Sequence, residues 1–395
     1  MKAPAPTFLT AVLIAAAALA LPLPQRTDGN ARTRIAFVSD EGAERNIYLV
    51  EAEGGGEEKI TSRPADARLF FNHQPTVSRD GRKIAYASYR VFPDEGLRLW
   101  GQWNGEPLFP SEEFYIYGYS YFPSRTYYTR LTNYNWNIYV HDRATGKEKR
   151  VSSFHWNEFQ PEWMKRGSGV LYTLQAEKSA FVLHGKTSGK DFRQITLRNN
   201  EAVSPDVSPD GREMVYQTFA DHNWELAVIR LTDKFPQFSA RRLTRTSSAN
   251  ELHPLWSPDG RKILFLANYR TKSEYDLHVM DAETGDVKRV TDVGRVAAGY
   301  AWSPDGRSAA YARRGSRSGS DVFVVEIETG KTTPAAATAA DESLPAWSPD
   351  GSSLAFIARD GTEYHLYTSA AAGGAAAKRL TETACYPEAP LWFEE

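Results

Sequence analysis

The chain has 395 residues, 41% hydrophobic and 24% charged, with a formal net charge of −2. So near-neutral a balance lacks the basic surface that phosphates require, which excludes nucleic acid as the partner. A chain of this length folded as one body buries about 75% of its extended surface, so it needs no disulfides, and Cys385, its one cysteine, forms none within the chain.

In chain order, Lys2 precedes an apolar segment, residues 8–21, that ends in Ala18-Leu19-Ala20 before Pro22 and Pro24. A positive start, a short apolar run and a small-x-small exit predict a secretory signal peptide over residues 1–20, with 21–33 as a linker; a run of about 14 residues is short for a membrane span. No cysteine follows to take a lipid, and no later run is long enough to span. The mature protein is expected to be soluble and exported, in the periplasm or secreted.

From Arg34 onward a unit repeats. Trp256 to Gly260, Trp302 to Gly306 and Trp347 to Gly351 all read W-S-P-D-G, with V-S-P-D-G at Val207 to Gly211 and V-S-R-D-G at Val77 to Gly81. Each precedes a short apolar run such as Ile263-Leu264-Phe265. Proline presets φ, aspartate bonds its own backbone two residues on and glycine takes positive φ, so each copy predicts a tight turn between two strands. A third strand follows (Asn46-Ile47-Tyr48-Leu49, Asn137-Ile138-Tyr139-Val140, Asp321-Val322-Phe323-Val324), then a fourth ending in R-L-T or a variant, as at Arg242-Leu243-Thr244. Four short antiparallel strands at a period of about 45 residues predict a propeller blade. Degenerate copies fall at Pro161-Glu162-Trp163 and Tyr121 to Arg125.

Second strands near 35, 84, 127, 170, 214, 263, 309 and 354 give eight blades over residues 34–395. The alternative is seven, with residues from about 90 to 134 as one long insertion. Arg34 to Ser39 reads as a second strand and Ala389 to Trp392 as a first strand, so the C-terminal strand is expected to complete the first blade and close the ring.

The P-x-W-S-P-D-G-x-x-I-A-F unit, the N-I-Y-V strand and the R-L-T ending resemble the propeller repeat of the TolB family, the periplasmic component of the bacterial Tol-Pal envelope system. The resemblance covers nearly all of the mature chain. It implies a propeller that binds envelope proteins; the α/β domain that precedes the TolB propeller has no counterpart ahead of Arg34.

Two groups of residues are candidate sites. Segments entering the first strands carry Asn72, His73, Glu158, Glu201, Glu251, His253, Glu342 and Glu388. In a propeller these face the channel mouth, where they would receive a basic partner segment or hold a hard cation such as Ca²⁺ through oxygen ligands. Equally, each is placed to cap its own loop by bonding local backbone. The second group is an aromatic run, from which Trp100, Trp103, Phe109 and Phe114 are read as a protein- or sugar-stacking surface; strand packing between blades is the alternative.

No nucleophile elbow or phosphate loop is present: Gly315-Ser316-Arg317-Ser318-Gly319 has arginine at the nucleophile position, and Gly185-Lys186-Thr187 lacks the earlier glycine. No cofactor motif appears. The function expected is a binding scaffold for an envelope protein or peptide. The alternative is a carbohydrate-active or hydrolytic enzyme using His73, His155, His253 and the acidic mouth with a divalent metal.

Overall fold

The computed structural model describes residues 32–394 except 43, 68, 92–101, 104, 105, 108–135, 153–155, 167, 177, 178, 190, 198–200, 316–318, 336–339 and 375. The signal-peptide reading, the degenerate copy at Tyr121 and His155 therefore lie outside the described residues, as do Trp100, Phe109 and Phe114.

The described residues form an all-β propeller with seven four-stranded antiparallel blades. Blade one has the strand order Leu391–Glu394, Thr33–Val38, Ile47–Glu51 and Glu58–Lys59, with Ile35 opposite Trp392. Blade two runs Leu69–Val77, Lys83–Val91, Asn137–Asp142 and Lys147–Arg150, and the two-residue strand Glu44–Arg45 joins Leu69–Val77 in parallel. Blades three to seven start at Asn157–Trp163, Ala202–Val207, Glu251–Trp256, Val296–Trp302 and Glu342–Trp347, and each continues through three more strands in chain order. The chain divides into two compact units, one of Met1–Val38, Leu49–Glu57 and Ser248–Glu395, the other of Ser39–Tyr48 and Glu58–Ser247. Blades two to four belong to the latter, blades five to seven to the former.

The count is seven where eight was expected. Strand Asn137–Asp142, read from sequence as the third strand of a third repeat, pairs directly with the second strand of blade two, from Lys83↔Asp142 to Ser88↔Asn137. No blade stands between them in the sheet. Residues 92–136 therefore connect the second and third strands of one blade. Their length is close to one repeat, so the spacing of turn positions alone could not distinguish an insertion from a blade. Within this connection the structure describes one pair of two-residue strands, Gln102–Trp103 and Glu106–Pro107.

The recurring turn works as a small hydrogen-bonded unit. In blade five the Ser257 hydroxyl donates to Asp259 Oδ1 (2.6 Å) and accepts from the backbone N–H of Lys262 (2.9 Å), while Asp259 Oδ1 accepts from the N–H of Arg261 (3.0 Å). Gly260, at φ 71°, closes the reversal by donating to the Ser257 carbonyl at 2.9 Å. The same bonds recur around Ser78, Ser208, Ser303 and Ser348. Burial acts to raise the Asp259, Asp305 and Asp350 carboxyls, but the serine and backbone donors outweigh it and hold all three below the ordinary value of 3.8.

A carboxyl whose folded pKa is depressed adds stability that is present above its unfolded pKa and lost as pH falls through the folded value. The chain should accordingly lose stability on acidification below about pH 4. Asp259→Asn, Asp305→Asn and Asp350→Asn combined should flatten that decline, read as urea midpoints between about pH 6 and 3; an unchanged profile would count against these turns as its source. The groups are largely solvent-exposed, so each contribution is small.

The recurring tryptophan links blades. Within the first unit Trp302 Nε1 donates to the Leu255 carbonyl (3.1 Å), Trp347 to Ala301 (3.2 Å) and Trp392 to Ala346 (3.1 Å); within the second, Trp163 donates to Thr76 (3.0 Å). In each case the acceptor is the residue just before the equivalent Trp or Val of the preceding blade. The R-L-T ending acts within its own blade. Its threonine hydroxyl, or Ser152 in blade two, accepts a backbone N–H of the third strand, as in Thr61 from Ile47 (2.9 Å), Thr291 from Leu277 (2.9 Å) and Thr381 from Leu366 (3.1 Å). A buried backbone donor that this hydroxyl satisfies would otherwise be orphaned. Cys385 is buried, and burial pushes its thiol up to about 12, the inert state expected of it.

Candidate functional site

The first strand of each of blades two to seven is broken by a bulge. Register shifts fall between His73 and Thr76, Phe159 and Glu162, Val203 and Asp206, Leu252 and Leu255, Val296 and Tyr300, and Ser343 and Ala346. The bulged residue has positive φ in every one: Gln74 (53°), Gln160 (52°), Ser204 (52°), His253 (52°), Gly299 (89°) and Leu344 (57°). Five of the six are not glycine and precede a proline, so the backbone here is held in a sparsely populated region. An extra residue re-aims the side chains of a strand, and here it turns them toward the next bulge. Gln74 Oε1 accepts from Gln160 N–H (2.7 Å), and Gln160 Oε1 accepts from Ser204 N–H (2.9 Å). In the first unit the Tyr300 hydroxyl donates to the His253 carbonyl, and a Cβ on Gly299 would stand 2.4 Å from Leu344 Cδ2. The repeated X-Pro is the sequence signal for this series; the reading of the segments entering the first strands took up their acidic, amide and histidine residues instead.

The acidic and amide side chains predicted for a channel mouth take varied positions. Asn72, Glu158 and Glu342 are wholly buried and bonded nearby: Asn72 Nδ2 donates to Thr61 Oγ1 (3.0 Å), the Ser152 hydroxyl donates to Glu158, and Glu342 Oε2 accepts from the N–H of Val322 (3.1 Å). The last bond has a reason in the sequence. Val322 N–H corresponds to the donor that a threonine or serine hydroxyl satisfies in other blades, where that residue follows the donor by 14 positions in blades one, two, three and five; in the sequence the residue 14 positions after Val322 is Ala336, which has no hydroxyl. Glu342→Ala should cost about 1–3 kcal/mol by leaving this donor unsatisfied, with Glu342→Gln costing less, as measured by thermal unfolding. An unchanged melting temperature for the alanine variant would mean that the carboxylate is not acting as a cap.

Glu251 is likewise wholly buried. Glu201 and Glu388 are half-buried, and burial raises the Glu201 carboxyl above its ordinary value. His253 is half-buried and its imidazole is pushed down by burial to about 4, which leaves it neutral at physiological pH. Among the described residues no group of three or more His, Cys, Asp or Glu side chains could hold a metal ion.

His73 belongs to a different constellation, built in the second unit. The parallel pairing of Glu44–Arg45 with Phe70 and Phe71 brings Arg45 alongside the first strand of blade two. Its guanidinium lies 5.1 Å from the Phe71 ring centroid, and Nη1 is 3.0 Å from His73 Nε2. Arginine has only donors, so Nε2 accepts and the imidazole proton sits on Nδ1. The His73 ring meets Trp136 edge-on at 4.8 Å; Trp136 in turn lies 5.6 Å from Tyr89 and 6.1 Å from Phe159, and Tyr89 stacks on Phe71 at 6.4 Å. Blade three fixes Trp136 through its backbone, Asn157 Oδ1 accepting its N–H (3.2 Å) and its carbonyl accepting from Glu158 N–H (2.9 Å).

Phe71, Tyr89, Trp136 and Phe159 are all half-buried, so each residue keeps part of its surface accessible. Tyr89 lies just before the connection of residues 92–136 departs, and Trp136 closes it. Of this group the sequence singled out only His73 as a site residue, and a two-residue strand such as Glu44–Arg45 has no periodicity to find. Trp103, singled out with the aromatic run, sits in the short strand Gln102–Trp103.

Comparison with known proteins places these features in a family context. The TolB beta propeller domain family matches residues 262–395. The Tol-Pal system protein TolB of Desulfotalea psychrophila is 29% identical over 103 residues, 26% of this chain and 23% of its own length. An uncharacterized peptidase, YuxL of Bacillus subtilis, is 38% identical over 55 residues, 14% of this chain and 8% of its own length, so the chain spans under a quarter of either relative. Among solved structures, TolB from Acinetobacter baumannii aligns with a TM-score of 0.51 at 19% identity, covering 91% of this chain and 66% of its own. A puromycin hydrolase aligns at 0.61 and 14% identity, over 94% and 56%. Oligogalacturonate lyase from Vibrio parahaemolyticus aligns at 0.58 and 12%, over 85% of each. At these identities the structures share the fold, whatever their chemistry. With its repeat, its blades and the match over residues 262–395, the chain is a TolB-like β-propeller protein.

Proposed function

We propose that this protein is an exported binding scaffold of the cell envelope that holds a protein or peptide partner on the aromatic face formed by Arg45, Phe71, His73, Tyr89, Trp136 and Phe159. The observation that carries this reading is the arrangement itself: accessible rings of Trp, Tyr and Phe around an arginine, fixed by the backbone of two blades. Tryptophan, tyrosine and arginine are the residues that dominate binding energy at protein interfaces, because they bury large rigid surfaces. Kinship with TolB, whose relative bears the name of a Tol-Pal system protein, supports a partner in the envelope. The leader read over residues 1–20 would deliver the chain there, and Leu391–Glu394 beside Thr33–Val38 would close the propeller. Among the described residues no helix is long and apolar enough to cross a membrane.

The experiment is affinity capture from envelope extract with wild type and with Arg45→Ala/Trp136→Ala, followed by titration of the captured protein. Truncating two such anchors should weaken binding at least about 30-fold, the equivalent of about 2 kcal/mol, while circular dichroism shows the variant folded. Equal retention by both proteins, or none by either, would reject this face as the binding site.

A further inference from the structure

A second surface stands apart from the aromatic face in residues and in character. Four phenylalanines are exposed among the described residues, and three of them, Phe192 (59%), Phe235 (55%) and Phe238 (75%), belong to the outer strand of blade three and the loop before the outer strand of blade four. Arg193 joins these two segments: its Nη2 donates to the Lys234 carbonyl at 2.8 Å and also to that of Asp233.

The loop is preformed. Pro236–Phe238 is a 3₁₀ turn in which Pro236 is buried, and the Ser239 hydroxyl clamps it by donating to the Pro236 carbonyl (2.8 Å) and accepting from Arg230 N–H (3.0 Å). Buried proline and clamped ends leave Phe235 and Phe238 projecting side by side, with centroids 6.4 Å apart, and Lys234 Nζ lies 5.4 Å from the Phe235 ring. Residues 191–194 and 230–242 carry Arg193, Arg230, Lys234, Arg241 and Arg242 against Asp191 and Asp233. Asp191 is itself paired with Lys186 at 3.0 Å, and Arg242 with Asp221 at 2.6 Å.

We propose that this loop docks the propeller on an anionic lipid bilayer surface, with Phe235 and Phe238 entering the headgroup boundary and the cations meeting lipid phosphates. Projecting aromatic rings flanked by basic residues suit an interfacial anchor, in which apolar insertion and attraction to anionic lipid act together. The Lys234 ammonium beside Phe235 can extend to the phosphate level as the ring inserts. A second protein molecule would call for a recess complementary to these rings and for carboxylates matching the excess of cations.

The test uses the full chain carrying Gln237→Cys labelled with an environment-sensitive fluorophore; Cys385, 1% exposed, leaves the introduced thiol as the reactive one. The fluorophore reports its own surroundings, so attachment through residues 8–21 elsewhere in the chain does not produce the signal. With vesicles of mixed phosphatidylglycerol and phosphatidylcholine the emission should shift to the blue and be quenched by brominated acyl chains. Apparent affinity should fall at least about ten-fold with Phe235→Ser/Phe238→Ser, consistent with the apolar area removed, and also with Lys234→Glu, which leaves the loop's packing unchanged. Absence of a shift with these vesicles would overturn the proposal. So would a shift that ignores both variants, or one that grows with protein concentration without lipid and so reports contact between copies of the chain.

Discussion

Trp347→Ala should lower the stability of the folded chain by about 3–5 kcal/mol, among the largest effects of any single truncation here. The indole is 6% exposed, lies in a core with Ala301, Ala310, Val322, Leu354 and Phe356, and donates to the Ala301 carbonyl of the preceding blade. Alanine removes the packing and the bond together and leaves a cavity between two sheets. Trp347→Phe separates the two terms: it keeps most of the apolar volume and abandons the carbonyl, which should cost about 1–3 kcal/mol. Chemical unfolding of both variants, followed by far-UV circular dichroism, gives the comparison. Equal losses for phenylalanine and alanine would assign the whole effect to the hydrogen bond; a loss under about 1 kcal/mol for alanine would show that the tryptophan series does not join the blades.

The second large effect is expected from Glu148→Ala. Arg90, 9% exposed, is one of the few buried cations among the described residues, and its Nη1 lies 2.7 Å from Glu148 Oε1. Its guanidinium also lies 3.6 Å from the Tyr139 centroid and 5.0 Å from that of Phe70. The Tyr86 hydroxyl donates to the other carboxylate oxygen; burial and the Glu148 charge push that phenol well above its ordinary value, so it stays a donor. Removing the carboxylate leaves a buried cation and a buried phenol without their acceptor. Breaking such a pair costs about 3–5 kcal/mol when both partners are buried, and the lower end applies because Glu148 is 28% exposed. Replacing both members, as Arg90→Met/Glu148→Leu, should recover most of the loss, because the desolvation of two charges disappears with them. Thermal unfolding decides it: a double variant no more stable than the single one would place the cost in lost packing rather than in the stranded charge.

This network marks the end of the strand from which residues 92–136 depart, and the same place explains what the sequence could and could not reveal. Hairpins were legible because S-P-D-G encodes its own hydrogen bonds, and blades because a tryptophan, an N-I-Y-V strand and an R-L-T ending recur at fixed distances. Each of these is local or periodic. The blade count depended on which strand lies beside Lys83–Val91, a pairing between residues about 50 positions apart, and an insertion one repeat long left the period intact.

The candidate site was harder to read for a similar reason. His73 was picked out by type, but Arg45 reaches it through two residues of parallel strand, and Phe159 comes from the next blade. Glu342 looked like a mouth residue because it aligns with Glu251 and Glu158; its bond to Val322 depended on noticing that the sequence has Ala336 at the spacing where other repeats have threonine or serine. A comparison of equivalent positions across repeats, rather than of residue types within one, would have found it.

The measurement that bears most directly on the binding role is site-specific photocrosslinking in intact cells, with Tyr89→p-benzoylphenylalanine on the aromatic face and Val287→p-benzoylphenylalanine on the exposed outer strand of blade five as the comparison. A discrete protein adduct from position 89, none from 287, and loss of the adduct when Arg45→Ala is added, is the result expected of a partner held at this face. No adduct at position 89, or the same adducts from both positions, would contradict it.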